Sequence, residues 1–235
     1  MSGHSKWSTI KRKKGATDAK RGAVFTKIAN MITITAREGG GVVANNPRLA
    51  VAIEKARQAN MPKNNVERAI KRGTGELEGV QIESLQIEAY GPEGSAFIIE
   101  AITDNKNRTI SEVRNILSSN NGKMAESGSV AYQFAKKGVI RIAGNGNLDE
   151  VELAAIDAGA EDTNITDKSL AVYTAPSDLQ TVKEKLKNAT IESAEIEYLP
   201  QNPVDIAGDN ETKINNLASA LNEHDDVNDV YSNVE

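Results

Sequence analysis

Near residue 80 the spacing of apolar residues switches from helical to extended, and this switch limits the fold of the 235-residue chain more than any other property. Ahead of it, Phe25, Ile28, Ala29, Ile32 and Ala36 fall at i, i+3, i+4, i+7 and i+11, one face of a helix over residues 18–37. Gly39-Gly40-Gly41 ends that helix. Asn46-Pro47 starts a second: Asn is a good N-cap, and Pro fits a first turn where its missing N–H would be unpaired anyway. Leu49, Ala52, Ile53 and Ala56 form its stripe. A third helix is expected over 65–72, with Asn64 and Glu67 at capping-box spacing and Gly73 as its stop. Three short helices with narrow stripes predict a small bundle, and Gly73-Thr74-Gly75 reads as a hinge leading out of it.

Beyond residue 80, segments 82–90 and 96–103 alternate or run apolar around a turn at Gly91-Pro92-Glu93-Gly94. A helix over 109–117 follows, with Thr109 and Glu112 spaced as a capping box, and then a strand over 129–135. Strands at 139–143, 162–166, 171–174 and 194–199 and helices at 148–158 and 177–188 give the order βαββαβ, the ferredoxin-like arrangement. The tail adds a strand near Val204, a helix over 211–222 and a strand over 227–231, which can join the 82–135 elements in a second layer. The predicted fold is therefore α+β: an N-terminal three-helix bundle followed by two α/β domains, one ferredoxin-like and inserted into the other. The boundaries are a flexible basic arm at 1–16, a helical domain at 17–75, a discontinuous domain at 80–135 plus 202–235, and the insertion at 136–201. With aromatics at only 4% of residues, the cores must rest on Ile, Val, Leu and Ala.

Charge divides at nearly the same place. The chain carries a net charge of −5, yet residues 1–73 hold 16 basic and 4 acidic residues, a surplus of 12 positive charges. The remainder holds 12 basic and 29 acidic residues, a surplus of 17 negative charges. Such asymmetry points to a polyanion facing the basic part. There is no cysteine, which excludes disulfides, thiolate metal sites and a cysteine nucleophile. No apolar run approaches the ~20 residues of a membrane span, and the basic N-terminus lacks an apolar signal core, so a cytoplasmic protein is expected.

Lys6, Lys11, Arg12, Lys13, Lys14, Lys20, Arg21 and Lys27 crowd into 27 residues with Asp18 as the only acid. Neutralising phosphates releases condensed counterions, which drives sequence-independent binding to nucleic acid. A solvated tail and an anionic membrane are the competing readings; a membrane-lying helix would want more bulky apolar residues. Trp7, between Lys6 and the Lys11–Lys14 run, either stacks on a base or anchors the arm to the bundle. Arg68, Lys71 and Arg72, at i, i+3 and i+4, share a face opposite Val66 and Ile70 and either extend the basic patch or are an ordinary solvated face. No helix-turn-helix spacing is present, so base-specific readout is not predicted. Asp104 through Thr109 joins a strand to a helix N-terminus, where Lys106 and Arg108 either offer a second phosphate contact or belong to a capping turn.

Catalysis finds little support. His4 and His224 stand near opposite ends of the chain, without the i, i+4 partner of a zinc site, and no nucleophile–base set is visible. Glu223-His224-Asp225-Asp226 could bind a cation weakly but reads better as a solvated acidic cluster. No enzyme, cofactor or metal is predicted.

Gly3-His4-Ser5-Lys6-Trp7, then Phe25-Thr26-Lys27-Ile28, Asn60-Met61-Pro62, Arg68-Ala69-Ile70 and Gly73-Thr74-Gly75 together resemble the opening of the YebC family. Tyr90-Gly91-Pro92, Thr103-Asp104-Asn105, Asn107-Arg108-Thr109 and Gly128-Ser129-Val130 continue the likeness in order. The resemblance implies a three-domain fold and a cytosolic regulator without enzymatic activity. Family members are described as DNA-binding transcriptional regulators. Others look like translation factors, the mitochondrial relative activating cytochrome oxidase synthesis and bacterial ones helping ribosomes through proline-rich stretches. The implied partner is nucleic acid, DNA or RNA, or the ribosome; no membrane partner is expected, and the oligomeric state is left open, a monomer being compatible with it.

Overall fold

The structure is a computed structural model that describes residues 18–144, 146–166 and 169–234, without the side chains of residues 18–20. Its elements are α1 (Asp18–Gly39), α2 (Pro47–Gln58), α3 (Lys63–Gly73), β1 (Glu83–Tyr90), β2 (Ala96–Thr103), α4 (Lys106–Ser119), β3 (Lys123–Met124), β4 (Phe134–Ala143), α5 (Leu148–Ala158), β5 (Asp162–Thr166), β6 (Ser169–Thr174), α6 (Leu179–Lys185), β7 (Ile191–Pro200), α7 (Asp209–Glu223) and β8 (Val227–Ser232). The chain is α+β, with N-terminal helices and two four-stranded antiparallel sheets. It divides into two compact units, one of residues 134–201 and one holding the described residues on either side.

In the larger unit α2 and α3 both pack on α1. Ile28, Ile32 and Ala36 of α1 meet Leu49, Ala52 and Ala56 of α2 and Ala69 of α3, the stripes the sequence predicts. Asn46 caps α2 by accepting from the Leu49 N–H at 3.0 Å, while its amide donates to the carbonyls of Thr35 and Gly40 at 2.8 Å each. The expected capping box on α3 does not form. The helix starts at Lys63 behind Pro62, which places Asn64 inside the first turn with no side-chain cap. Gly73 is not a stop either, for it lies within α3. A Cβ there would sit 2.4 Å from the Thr33 carbonyl oxygen and 2.7 Å from Ala36 Cβ, so glycine is what lets α3 approach α1. The following turn is tied back: Thr74 N–H donates to Ile70 O, and Glu76 N–H to Lys71 O, each at 2.9 Å.

A single stripe does not describe α1. Residues 32–36 are all buried, in a helix that lies against β2 as well as against α2 and α3. The hydroxyls of Thr33 and Thr35 are satisfied inside by donating to the carbonyls of Ala29 and Met31, at 2.9 Å each. Burial of both faces also explains why β2 reads as an apolar run while β1 alternates. The sheet has the order β3-β1-β2-β8. Leu85, Ile87, Ala89, Phe97, Ile99, Ala101, Val227 and Val230 of this sheet pack against Val113 and Leu117 of α4 and Ile214, Leu217 and Leu221 of α7. The strand expected near Val204 is a single parallel bridge to Val234.

The smaller unit has the order β5-β6-β4-β7, the ferredoxin-like arrangement of its βαββαβ chain. Here the two strands expected at 129–135 and 139–143 are corrected. β4 runs unbroken from Phe134, and the residues ahead of it form a turn. Lys136, Lys137 and Gly138 broke the apolar pattern, but all three lie within the strand. A Cβ on Gly138 would come within 2.4 Å of Thr174 Oγ1 and 2.9 Å of Leu179 Cβ, so the sheet–helix packing requires glycine at this position.

Candidate nucleic-acid interface

The geometry of α3 follows from which residues it can bury. Ala69 faces α1 and Val66 and Ile70 flank it, which leaves Arg68, Lys71 and Arg72 on the solvent side, all exposed. Among the described residues none of the three has an acidic partner, whereas the neighbouring Lys63 lies 3.9 Å from Glu67. This triplet is the part of the predicted basic surface that the structure brings together. Lys6, Trp7, Lys11, Arg12, Lys13 and Lys14 lie outside the described residues, as does the Lys20 side chain; Arg21 is exposed near the start of α1.

Lys27 has a different task. It is half-buried and its Nζ donates to the Asn222 carbonyl at 2.8 Å, at the end of α7. A cation at the negative end of a helix dipole is stabilising, so Lys27 ties α1 to α7. Two further links tie down the helices: Lys55 Nζ stands 3.7 Å from the buried Asp229 carboxylate of β8, and Arg37 donates at 2.6 Å to the carbonyl of Ile82, just ahead of β1.

The junction between β2 and α4 holds the other two predicted cations. The capping box of Thr109 and Glu112 does not form, because α4 begins three residues earlier, at Lys106. Its N-cap is Asn105, whose Oδ1 accepts from the Arg108 N–H at 3.1 Å. Arg108 donates to Asp104 at 2.9 Å and to Asp226 at 2.8 Å, and the Thr109 hydroxyl donates to Asp226 at 2.6 Å. Burial would push the Asp226 carboxyl up, but hydrogen bonds from Thr109, Arg108 and Thr103 hold it below the usual carboxylate range. His224 completes the group: its Nε2 lies 2.8 Å from Glu112, and its Nδ1 accepts from the Asp226 N–H at 3.1 Å. His224 and Asp226 are therefore not the solvated acidic cluster the sequence suggests. They belong to a lock between the start of α4 and the turn before β8.

Glu112, His224 and Asp226 offer ligand atoms within 4.8 Å of one another, a metal-like spacing. Arg108 already supplies the positive charge there, with Nη2 on Asp226 and Nε 4.0 Å from Glu112. Lys106 stands apart from these contacts, exposed on the first turn of α4.

Gly128-Ser129-Val130 acquires a structural meaning. The buried Glu88 carboxylate of β1 accepts from the N–H groups of Gly128, Val130 and Ala131 at 2.7, 2.6 and 2.8 Å. Burial pushes this carboxyl up, and the three amides more than offset it, so the group titrates below its ordinary value. The Tyr90 hydroxyl adds a bond to the Ser129 carbonyl at 3.0 Å. Sequence reasoning missed Glu88; its one signal is an acid placed between Ile87 and Ala89 in an apolar strand.

A helix-bearing N-terminal part followed by two antiparallel sheets, with cations presented on α3, defines a class of multi-part α+β proteins with a basic helical end. Comparison with known proteins agrees. Residues 5–76 match the TACO1/YebC protein N-terminal domain, and residues 82–234 the TACO1/YebC second and third domain. Relatives named "probable transcriptional regulatory protein" are 51% identical in Acidithiobacillus ferrooxidans, covering 99% of this chain and 94% of the relative. In Fervidobacterium nodosum the identity is 52%, covering 99% and 93%, and in Thermotoga maritima 48%, covering 100% and 94%. The crystal structure of a conserved hypothetical protein from Aquifex aeolicus superposes with a TM-score of 0.87 at 42% identity, covering 98% of this chain and 97% of the other. The chain belongs to the TACO1/YebC family.

Proposed function

We propose that this chain is a regulatory protein that grips nucleic acid with its basic N-terminal part and acts as a DNA-binding transcriptional regulator. The observation that carries the reading is the Arg68–Lys71–Arg72 face, exposed and without acidic partners among the described residues. It closes a segment with 12 surplus positive charges. On this reading residues 1–16 are a cationic arm ahead of the helical domain at 17–75, and the arm and α3 together bind phosphates. The names carried by the relatives support a regulatory role. The protein works in the cytoplasm without catalysis or a cofactor.

A second reading is an RNA- or ribosome-directed translation factor. It is favoured by the cations that α3 presents, which suit phosphates, together with a sequence that lacks helix-turn-helix spacing for reading base edges. Fluorescence anisotropy with the full chain distinguishes the two. A promoter duplex, a random duplex and an RNA hairpin are titrated across salt concentrations. Tightest binding to the promoter supports the first reading, and preference for the hairpin supports the second. Lys11–Lys14→Ala should weaken binding and flatten its salt dependence, by about 0.9 in log–log slope for each phosphate no longer neutralised. No binding of any of the three at low salt would remove the proposal.

A further inference from the structure

Helix α5 buries Ala155 and Ala158 and turns Leu153 and Ile156 to solvent, 64% and 54% exposed. The two aliphatics stand at i and i+3, so they form one apolar spot on the outer face. Carboxylates flank it at both ends: Asp149 and Glu150 lie one turn before Leu153, and Asp157 one turn after. The helix contains no lysine or arginine. Glu152, its fourth acid, is occupied by the Thr163 hydroxyl at 2.6 Å and is not part of this face.

Stability does not account for the pattern. Asp149 and Glu150 suit a helix N-terminus, but Asp157 lies in the last turn, where the dipole disfavours an anion. Exposed Leu and Ile leave apolar area in water. We propose that this face docks a lysine- and arginine-rich amphipathic helix of a protein partner. Leu153 and Ile156 would meet the partner's apolar stripe, and Asp149, Glu150 and Asp157 its cations. The charge selects the occupant. Nucleic acid or an anionic membrane would be repelled, and a two-fold pairing of this face with a second copy would set like charges against each other. The surrounding residues 134–201 are also acidic, with 12 acids against 7 bases.

The test uses the full chain, labelled with nitrogen-15, and two synthetic 18-residue peptides of leucine and lysine. One peptide has its leucines on a single helical face; the other has the same composition scrambled. The amphipathic peptide should bind at least about tenfold tighter than the scrambled one, with amide shifts confined to α5 and its neighbours. L153S/I156S should erase that difference, and D149N/E150Q/D157N should weaken both peptides at low salt. Both variants change exposed side chains and leave the buried Ala155 and Ala158 untouched. Equal affinity for the two peptides, or shifts located elsewhere, overturns the proposal. So does a sedimenting dimer of the unmodified chain that L153S/I156S dissociates, because the occupant would then be a second copy.

Discussion

Replacing Arg108 by glutamine separates a structural role from a phosphate-binding one. The Arg108 side chain is 44% exposed and its partner Asp226 only 14%, so the pair falls between a surface ion pair and a buried one. Exposed pairs contribute at most about 1 kcal/mol, and breaking a buried pair costs about 3–5 kcal/mol. Glutamine keeps one donor, and Thr109 stays on the Asp226 carboxylate, so the expected loss lies toward the small, exposed-pair end of that range. In a unit of this size a loss of about 1 kcal/mol is a fall in Tm of about 2–4 °C. The acid limb carries a second signature. The folded Asp226 carboxyl titrates below its unfolded value, so its contribution is complete above about pH 4 and is lost as pH falls through the folded value. Arg108→Gln moves the folded value back toward the unfolded one, so the stability gap between the two proteins should narrow below about pH 4. Urea denaturation of the full chain at several pH values measures the gap, and nucleic-acid affinity against salt supplies the contrast. Unchanged stability at neutral pH together with a salt slope lowered by about one would refute the reasoning and make Arg108 a phosphate contact.

Glu88→Gln should destabilise by about 2–3 kcal/mol, since an amide cannot accept from three N–H groups as a carboxylate does; hydrogen exchange at Gly128, Val130 and Ala131 should accelerate, and unchanged exchange would count against the clamp. The same carboxyl titrates low, so the stability it provides should disappear on acidification below about pH 4 in the unmodified protein and be absent throughout in Glu88→Gln. Gly73→Ala should lower Tm although alanine is about 1 kcal/mol the better helix former, because its Cβ meets the Thr33 carbonyl; Gly22→Ala, with nothing within 4 Å, should raise it. R68A/K71A/R72A should reduce nucleic-acid affinity and salt slope while leaving Tm within about 1 °C, as expected for exposed side chains without acidic partners among the described residues.

Legibility in the sequence depended on how local the governing interaction was. The α1 stripe, the Asn46-Pro47 start of α2 and the βαββαβ order of residues 134–201 are set within a few turns or strands, and they read correctly. Helix starts were harder. Pro62 and Asn105 outcompete nearby capping-box spacings, and only the geometry of the preceding residue reveals it. Thr33, Ile34 and Thr35 are buried by tertiary packing, Thr33 against Ala69 of α3 some 36 residues away, so helical periodicity alone gives α1 one apolar face when it has more. The site divides in the same way. Arg68, Lys71 and Arg72 lie where helical spacing put them. Lys27 and Arg108 looked equally cationic but are engaged by Asn222 and Asp226, close to 200 and 120 positions away, and composition carries no record of such partners.

The pairing of Phe134 with Pro200 has a topological consequence. The chain leaves the first sheet's neighbourhood at one end of β4 and returns along β7, at the adjacent position. Once the ferredoxin-like segment has folded, β2 and β8 are separated by a far shorter effective tether than the intervening polypeptide suggests. Halving the open loop in this way lowers its closure cost by about 0.6 kcal/mol, because that cost grows only with the logarithm of length. A permuted chain with new termini inside the insertion would lose that advantage and should assemble its first sheet more slowly.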